Sequence, residues 1–186
     1  SAGDVLDGVI RHDFAGRIGL VSSFGTEAAV LLHMVAQVDP YVPVIFLDTW
    51  KHFPETLEYR DALVKKIGLC NIQTIMPHPD GVRADDPADD LHARNPDLCC
   101  HVRKTLPMLA ALRGLGCWIT GRKRFQSGSR AALEFFGLHP IRFEMFGKCM
   151  RPDIAAGSFQ ISGAVEGHFD LRKTGLCRNG HRRRKQ

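Results

Sequence analysis

The feature that most limits the fold of this chain is the alternation of short apolar segments with helical patterns. Each apolar segment is too short for a buried helix and is typical of a strand covered on both faces. We predict strands at residues 18–21, 42–47, 71–76, 117–120 and 141–146. Helices with an apolar face are predicted at residues 27–38, 54–67 and 100–112. This alternation indicates an α/β fold, a parallel twisted sheet with helices on both faces.

Other segments lack a regular pattern. Residues 77–96 are rich in Pro, Asp and His and are predicted to form a long loop. Beyond Phe146, glycines and a proline interrupt every run, so residues 147–186 are predicted to be an irregular C-terminal segment with a basic tail. A chain of 186 residues without internal repeats is expected to form one domain, residues 1–186.

Two loops follow the first two predicted strands, at the edge of the sheet where open α/β proteins bind ligands. The first, Ser22-Ser23-Phe24-Gly25, leads into a helix whose free N–H groups favour an anion. An ordinary helix cap would explain its serines about as well. In the second loop, Asp48 and Thr49 follow an apolar strand, and Asp48 could accept hydrogen bonds from a ribose or an adenine amino group. A structural capping role for Asp48 is the alternative.

A third loop carries three cations, Arg122, Lys123 and Arg124, directly after the predicted strand at residues 117–120. Guanidinium groups form bidentate hydrogen bonds with phosphate or sulfate. A solvated run of charge is the usual alternative. The position of this loop at the same sheet edge as the other two favours an anionic ligand.

Two adjacent cysteines, Cys99 and Cys100, precede a basic run that includes Lys104. Neighbouring cysteines meet the geometry of a mutual disulfide badly, so both thiols could serve an external partner, and a metal cluster is the natural candidate. Lys104 could hold a sulfate or phosphate near such a cluster. Packing of both cysteines into the core is the alternative, because free cysteine is commonly buried.

Charge and cysteine content limit the partners and the cellular compartment that we expect for the protein. The formal net charge of +5 comes from the last nine residues, whose five Lys/Arg leave 20 basic against 20 acidic residues elsewhere. The body of the domain is therefore neutral, and a nucleic-acid partner is not expected. The six cysteines are scattered, and no apolar segment is long enough to span a bilayer or resembles an export signal. We expect reduced thiols, a cytoplasmic location and no membrane association.

Five motifs occur in order between about residues 16 and 136. They are Ser22-Ser23-Phe24-Gly25, Val44-Ile45-Phe46-Leu47-Asp48-Thr49, Phe53-Pro54-Glu55-Thr56, Cys99-Cys100-His101-Val102-Arg103-Lys104 and Gly121-Arg122-Lys123-Arg124-Phe125-Gln126. This ordered set resembles the phosphoadenylyl-sulfate and adenylyl-sulfate reductases of assimilatory sulfate reduction. The resemblance implies an adenine-nucleotide α-hydrolase-like fold. It also implies that the first two loops hold adenosine, that Lys104 and the basic loop neutralise phosphosulfate, and that the cysteine pair belongs to a [4Fe–4S] cluster.

The C-terminal quarter departs from the family pattern. The family carries a second Cys-x-x-Cys pair, for which Cys149 matches the first cysteine while Pro152 stands at the second. Cys177 resembles the family's nucleophile, which attacks the sulfur atom. In another register Cys177 is a cluster ligand and no nucleophile remains. Trp50 also replaces the glycine that usually follows the Asp-Thr pair.

The resemblance implies thiol-dependent reduction of adenylyl sulfate, or of 3′-phosphoadenylyl sulfate, to sulfite and AMP or its 3′-phosphate. The route is a thiosulfonate on Cys177, with Cys99, Cys100 and Cys149 as iron ligands and thioredoxin or glutaredoxin as electron donor. A catalytically impaired adenine-nucleotide-binding domain of the same fold is the alternative. An ATP-cleaving adenylyltransferase is disfavoured, because the first loop lacks the Ser-Gly-Gly-x-Asp-Ser pattern of that group.

Overall fold

One six-stranded sheet forms the centre of the molecule. The computed structural model describes residues 2–26 and 28–121, together with the backbone of two further strands. The strands are β1 (Ile18–Val21), β2 (Val44–Leu47), β3 (Ile72–Ile75), β4 (Cys117–Thr120), β5 (Phe136–His139) and β6 (Ser158–Ser162). Their order is β3-β2-β1-β4-β6-β5, and every neighbouring pair is parallel except β5 with β6. The parallel sheet is thereby confirmed, with an antiparallel strand at one edge.

Seven α-helices occur in the described part of the chain. They are α1 (Ala2–Gly8), α2 (Ala28–Val38), α3 (Pro54–Ile67), α4 (Pro79–Asp85), α5 (Leu91–Arg94), α6 (Pro96–Cys100) and α7 (Leu106–Ala111). A π-helical turn, His101–Thr105, joins α6 to α7, and another, Val9–Asp13, follows α1. None of these helices is long and apolar enough to cross a membrane.

Both faces of the sheet are covered, as the apolar strand patterns predict. Ile18 and Leu20 of β1 pack on one face in a cluster that also contains Leu32 of α2 and Leu57 of α3. On the other face, a smaller cluster joins Ile45, Trp118 and Leu112. Gly19 faces this second side, where an added Cβ would lie 3.0 Å from Leu115 Cδ1. The alternation along each strand thus places helices on both sides of the sheet.

Three expectations about local structure need correction. Residues 77–96 are not one long loop, because they contain α4 and α5. The helix predicted to begin at residue 100 begins at Pro96. Both α4 and α6 have proline in the first turn and a capping side chain before it: His78 Nδ1 accepts from Asp80 N–H, and Asn95 Oδ1 accepts from Leu98 N–H. Proline begins a helix here rather than marking a loop.

The third correction concerns the C-terminal segment predicted to be irregular, which contains β6. Polar and apolar residues alternate along Ser158–Ser162, a period of two that is typical of a strand. The glycines on either side of this segment masked that signal. The strand predicted at residues 141–146 lies outside the described residues.

Candidate active site

A cleft of about 630 Å³ opens at the carboxyl edge of the sheet, between β1 and β4. From β1 the sheet continues through β2 and β3 on one side and through β4, β6 and β5 on the other. Such a reversal is the place where open α/β sheets bind ligands. Apolar side chains form much of its lining: Leu20, Val21, Leu31, Leu32, Leu47, Met108 and Trp118. Polar groups from the first loop, the α6–α7 segment and the end of β4 complete it.

The first loop enters the cleft through Ser22, Ser23 and Gly25. Ser22 is buried, and its Oγ accepts a hydrogen bond from the Phe24 N–H at 3.1 Å. The Phe24 side chain points into the core, where it meets the Phe46 ring edge-on at 5.7 Å. Phe24 can therefore reach a ligand only through its backbone. Phe24 has a φ of +56°, and Ala28 at the start of α2 lines the cleft.

Asp48 and Thr49 have structural partners of their own. Asp48 Oδ1 accepts the Trp50 N–H at 2.9 Å, which is the capping role offered as the alternative. Thr49 is buried, and its carbonyl oxygen accepts from Arg103 at 3.2 Å. Leu47 lines the cleft, whereas Asp48 and Thr49 do not. Asp48 keeps a second carboxylate oxygen, so its predicted contact with adenosine stays a prediction.

Trp50 occupies a backbone conformation that L-amino acids seldom adopt, with φ +61°. A glycine at this position, usual in the family that the motifs resemble, would adopt it without strain. In this chain the hydrogen bond from Trp50 N–H to Asp48 holds the turn. The Trp50 ring centroid lies 6.0 Å from the guanidinium carbon of Arg103. The substitution is accommodated by local contacts.

Cys100 and Lys104 both line the cleft, four residues apart on one helical segment. The π-helical turn follows Cys100 and contains Lys104: the Leu106 N–H donates to the His101 carbonyl, five residues back. Pro107 explains this wide turn, because proline has no N–H for the Arg103 carbonyl and its ring excludes that carbonyl. Turns of this kind are frequent at functional sites.

The two adjacent cysteines have different surroundings. Cys99 is buried at 8% exposure, whereas Cys100 is exposed and reaches the cleft. Among the described residues no group of three or more His, Cys, Asp or Glu could hold a metal ion. The pair fits two positions of a cluster that needs four thiolates, provided that Cys99 becomes accessible. Further ligands would have to come from outside the described residues, where Cys149 lies.

Several other predicted site residues also lie outside the described part of the chain. They are Arg122, Lys123 and Arg124 of the basic loop and the candidate nucleophile Cys177. Thr120 and Gly121, which precede the basic loop, line the cleft. The structure therefore places the start of that loop at the site. Cys117 is not an alternative nucleophile, because burial raises the pKa of its thiol to about 12.

Beside the cleft lies an ion network that the sequence patterns did not predict, in which Arg103 and Asp86 are buried and Asp89 is exposed. Arg103 is 2% exposed, and its Nη2 donates to Asp86 Oδ2 at 2.7 Å and to Asp89 Oδ1 at 2.9 Å. Asp86 Oδ1 also accepts the Leu91 N–H at 2.8 Å. The hydrogen bond from Arg103 is the main cause that lowers the pKa of Asp86, and a hydrogen bond from Lys51 lowers that of Asp89. The run of acids within residues 77–96 is the sequence signal that could have suggested it.

Comparison with known proteins agrees with the geometry. Adenosine 5′-phosphosulfate reductase from Mesorhizobium japonicum is 50% identical over 133 residues, covering 72% of this chain and 52% of the relative. The protein of the same name from a Chelativorans species is 51% identical over 128 residues, covering 69% and 52%. The chain thus spans about half the length of the curated relatives it matches.

Structural comparison supports the fold. The crystal structure of phosphoadenylyl-sulfate reductase from Candida auris, a phosphate complex, has a TM-score of 0.66 and 21% identity, covering 96% of this chain and 78% of the other. The family described as phosphoadenosine phosphosulfate reductase domain matches residues 17–141, more than half of the chain. This chain is therefore a member of the phosphoadenosine phosphosulfate reductase domain family.

Proposed function

We propose that the cleft binds adenylyl sulfate, or its 3′-phosphorylated form, and that the protein reduces the sulfo group to sulfite. One observation carries the proposal: Cys100 and Lys104 face the same cleft as the first loop and the N-terminus of α2. A thiol, a cation and an anion-binding helix end are thus gathered beside an apolar lining. The names of the relatives support a sulfate nucleotide as substrate.

The parts of the cleft suit different parts of such a nucleotide. The apolar lining from Leu47, Met108 and Trp118 offers contact area to an adenine ring. Backbone N–H groups at the start of α2 can donate to phosphate oxygens. Lys104 with Arg122, Lys123 and Arg124 would neutralise the remaining charge of the phosphosulfate.

The proposed reaction begins with the Cys177 thiolate. Its sulfur attacks the sulfur atom of the nucleotide, the bond from that atom to the phosphate oxygen breaks, and AMP leaves with the bonding electrons. A dithiol donor of the thioredoxin or glutaredoxin type then attacks Cys177 Sγ, and sulfite leaves. The second donor thiol displaces Cys177, so the donor is oxidised to a disulfide and supplies the two electrons.

An iron–sulfur cluster is part of the proposal, with Cys99, Cys100 and Cys149 as ligands. A bound [4Fe–4S] cluster would be ligated by these thiolates, of which Cys100 lines the cleft. A reducing, cytoplasmic compartment is proposed as well, since Cys70, Cys99, Cys100 and Cys117 carry free thiols.

Calorimetry with AMP and adenylyl sulfate tests the binding step. Replacing Lys104 by Ala should weaken binding of adenylyl sulfate about tenfold and that of AMP less, because the lost hydrogen bonds are charge-assisted. Lys66→Ala is the control, since Lys66 is an exposed lysine in the last turn of α3. An absence of binding at millimolar nucleotide would contradict the proposal.

Mass spectrometry tests the chemical step. With adenylyl sulfate and no reductant, the peptide containing Cys177 should gain the mass of a sulfo group while AMP is released. Cys177→Ser should abolish both. Nucleotide binding without the adduct would instead indicate a binding domain that has lost the redox reaction.

A further inference from the structure

The ion network around the buried Arg103 joins three segments that are distant in the sequence. Arg103 lies in the π-helical turn, which follows Cys100 and also contains Lys104. Its Nη1 donates to the Thr49 carbonyl in the loop after β2, and its Nη2 donates to Asp86 and Asp89, between α4 and α5. The guanidinium therefore links the loop after β2 and the α4–α5 segment to the helical segment that carries the cysteine pair.

The partners of Arg103 are themselves held in place. The Asp86 side chain is fully buried, and its other oxygen accepts the Leu91 N–H. Lys51 Nζ lies 2.5 Å from Asp89 Oδ2 and donates to the Asp89 carbonyl at 3.1 Å. A buried charge with directional partners costs desolvation and gives geometric specificity only where the partners are fixed. That condition is met here.

The wide turn needs such an anchor. Adjacent residues of a helix are rotated by about 100°, so a shift from the π register to the α register would turn the neighbouring side chains away by a similar angle. Arg103 is next to Lys104 in the chain and three residues after Cys100. Fixing the direction of Arg103 therefore fixes the directions of both groups that reach the cleft.

We propose that Arg103, held by Asp86, is a positioning residue that keeps Lys104 and Cys100 directed into the cleft. This inference rests on the proposed function, because it assigns Lys104 to the anionic part of the nucleotide. Arg103 does not itself line the cleft. It acts on the ligand through Lys104 and on the thiol chemistry through the cysteine pair.

A double-mutant cycle on adenylyl sulfate affinity tests the coupling. Arg103→Lys keeps the charge but cannot serve the Thr49 and Asp86 acceptors together. It should weaken binding about tenfold in the parent chain and less than about twofold in the Lys104→Ala chain, since the two residues act as one unit. Asp86→Asn should behave in the same way. If Arg103→Lys weakened binding equally in both chains, the proposal would be overturned. Equal effects mean that the two substitutions act independently, as they would if Arg103→Lys caused only a general loss of structure.

A matched control separates positioning from loss of stability. Arg94 Nε donates to Asp90 Oδ1 at 2.7 Å in an exposed pair close to the same segment. Asp90→Asn should leave the nucleotide affinity and the coupling with Lys104 unchanged. Urea unfolding of every variant shows whether the population is folded. A lost affinity that follows the unfolding midpoint across all variants would contradict a positioning role.

The second readout does not need nucleotide binding. Cys99 is buried, four residues before Arg103. In the full chain carrying Cys100→Ala and treated with a chelator, Asp86→Asn should increase the alkylation rate of Cys99 by about tenfold or more, because the segment opens locally. If the parent chain binds neither AMP nor adenylyl sulfate, the proposed function is wrong. The alkylation rate of Cys99 then still tests the positioning role of Arg103. An unchanged rate would refute the positioning role.

Discussion

The two walls of the cleft are held by different kinds of interaction. The first loop rests on apolar packing, with Phe24 buried against Phe46 and a hydrogen bond from Phe24 N–H to the Ser22 side chain. The facing helical segment is held by charge, through Arg103 and its partners Asp86 and Asp89. The first loop is therefore stabilised by the close packing of apolar side chains. The helical segment is stabilised by charged side chains and by the direction of their hydrogen bonds.

This difference has a physical consequence for how each wall responds to change. Apolar packing tolerates changes in pH but not loss of volume. A buried ion network tolerates little change in charge or direction, because an unpaired buried charge is costly. The wall that positions the thiol and Lys104 is therefore the more sensitive to its chemical surroundings. The following substitutions test the contrast, from the largest expected effect to the smallest.

Phe46→Ala should have the largest effect on the free energy of unfolding. The Phe46 side chain is fully buried and contacts Phe24 and His52. We expect a loss of about 3–5 kcal/mol, from lost burial and the cavity that remains. Urea unfolding followed by circular dichroism measures it. Phe53→Ala is the control: Phe53 is 76% exposed, so its loss should change stability by less than about 0.5 kcal/mol. Similar losses in both variants would contradict the described core.

Ser22→Ala should have a smaller effect on the same wall. It removes the acceptor of the Phe24 N–H in a hydrogen bond between two buried residues, and an unsatisfied buried donor costs about 1–3 kcal/mol. Ser23 is exposed in the same loop, so Ser23→Ala should leave the unfolding midpoint nearly unchanged. If the two variants lost equal stability, the hydrogen bond would not be the reason.

Local patterns explain how much of this fold was predictable. The bounds of β1, α3 and β4 agree with the predictions because each pattern is a property of a few consecutive residues. The helices α4 and α5 were missed because a Pro-rich, acidic composition outweighed the capping signals. The helical segment after Asn95 was predicted to begin too late for the same reason.

The site was predictable only in part. The ends of β1 and β4 lie at the same edge because parallel topology requires it. Ser22, Ser23, Gly25 and Lys104 line the cleft there, and their contact with a nucleotide stays a prediction. The network was not foreseen, since Arg103 bonds to partners 14, 17 and 54 residues away. The different surroundings of Cys99 and Cys100 depend on how their helix is rotated about its axis. Two identical adjacent residues carry no sequence signal of which one faces the core.

Acid should weaken the charged wall before the apolar one. Hydrogen bonds from Arg103 and Lys51 lower the pKa values of Asp86 and Asp89. The unfolded chain therefore binds more protons as the pH falls below about 4, the ordinary aspartate range. The stability that these groups contribute is complete above that pH and is lost as the pH falls through their folded pKa values.

Urea midpoints between pH 5 and pH 3 measure this loss. Asp86→Asn should reduce the slope of stability against pH. The control is Asp85→Asn, a change at the exposed neighbouring residue, which should leave the slope close to that of the parent chain. Ser22→Ala should shift stability equally at each pH, because no ionisation is involved. A parent slope that Asp86→Asn does not alter would show that other carboxylates govern acid unfolding.

Trp50→Gly should have the smallest net effect on the free energy of unfolding, because it removes a stabilising contact and an unfavourable strain together. Trp50 lies in the second loop, where its ring contacts Arg103. Glycine relieves the strain of the positive φ, about 1–2 kcal/mol. It also loses the contact of the indole with Arg103 and makes the unfolded chain more flexible, each about 0.5–1 kcal/mol. Trp50→Ala loses the ring and keeps the strain, so it should be less stable than Trp50→Gly by about 1 kcal/mol. Urea unfolding of both variants measures the difference. If Trp50→Ala were as stable as Trp50→Gly, the backbone at this position would not be strained, and the ring alone would account for the contribution of Trp50.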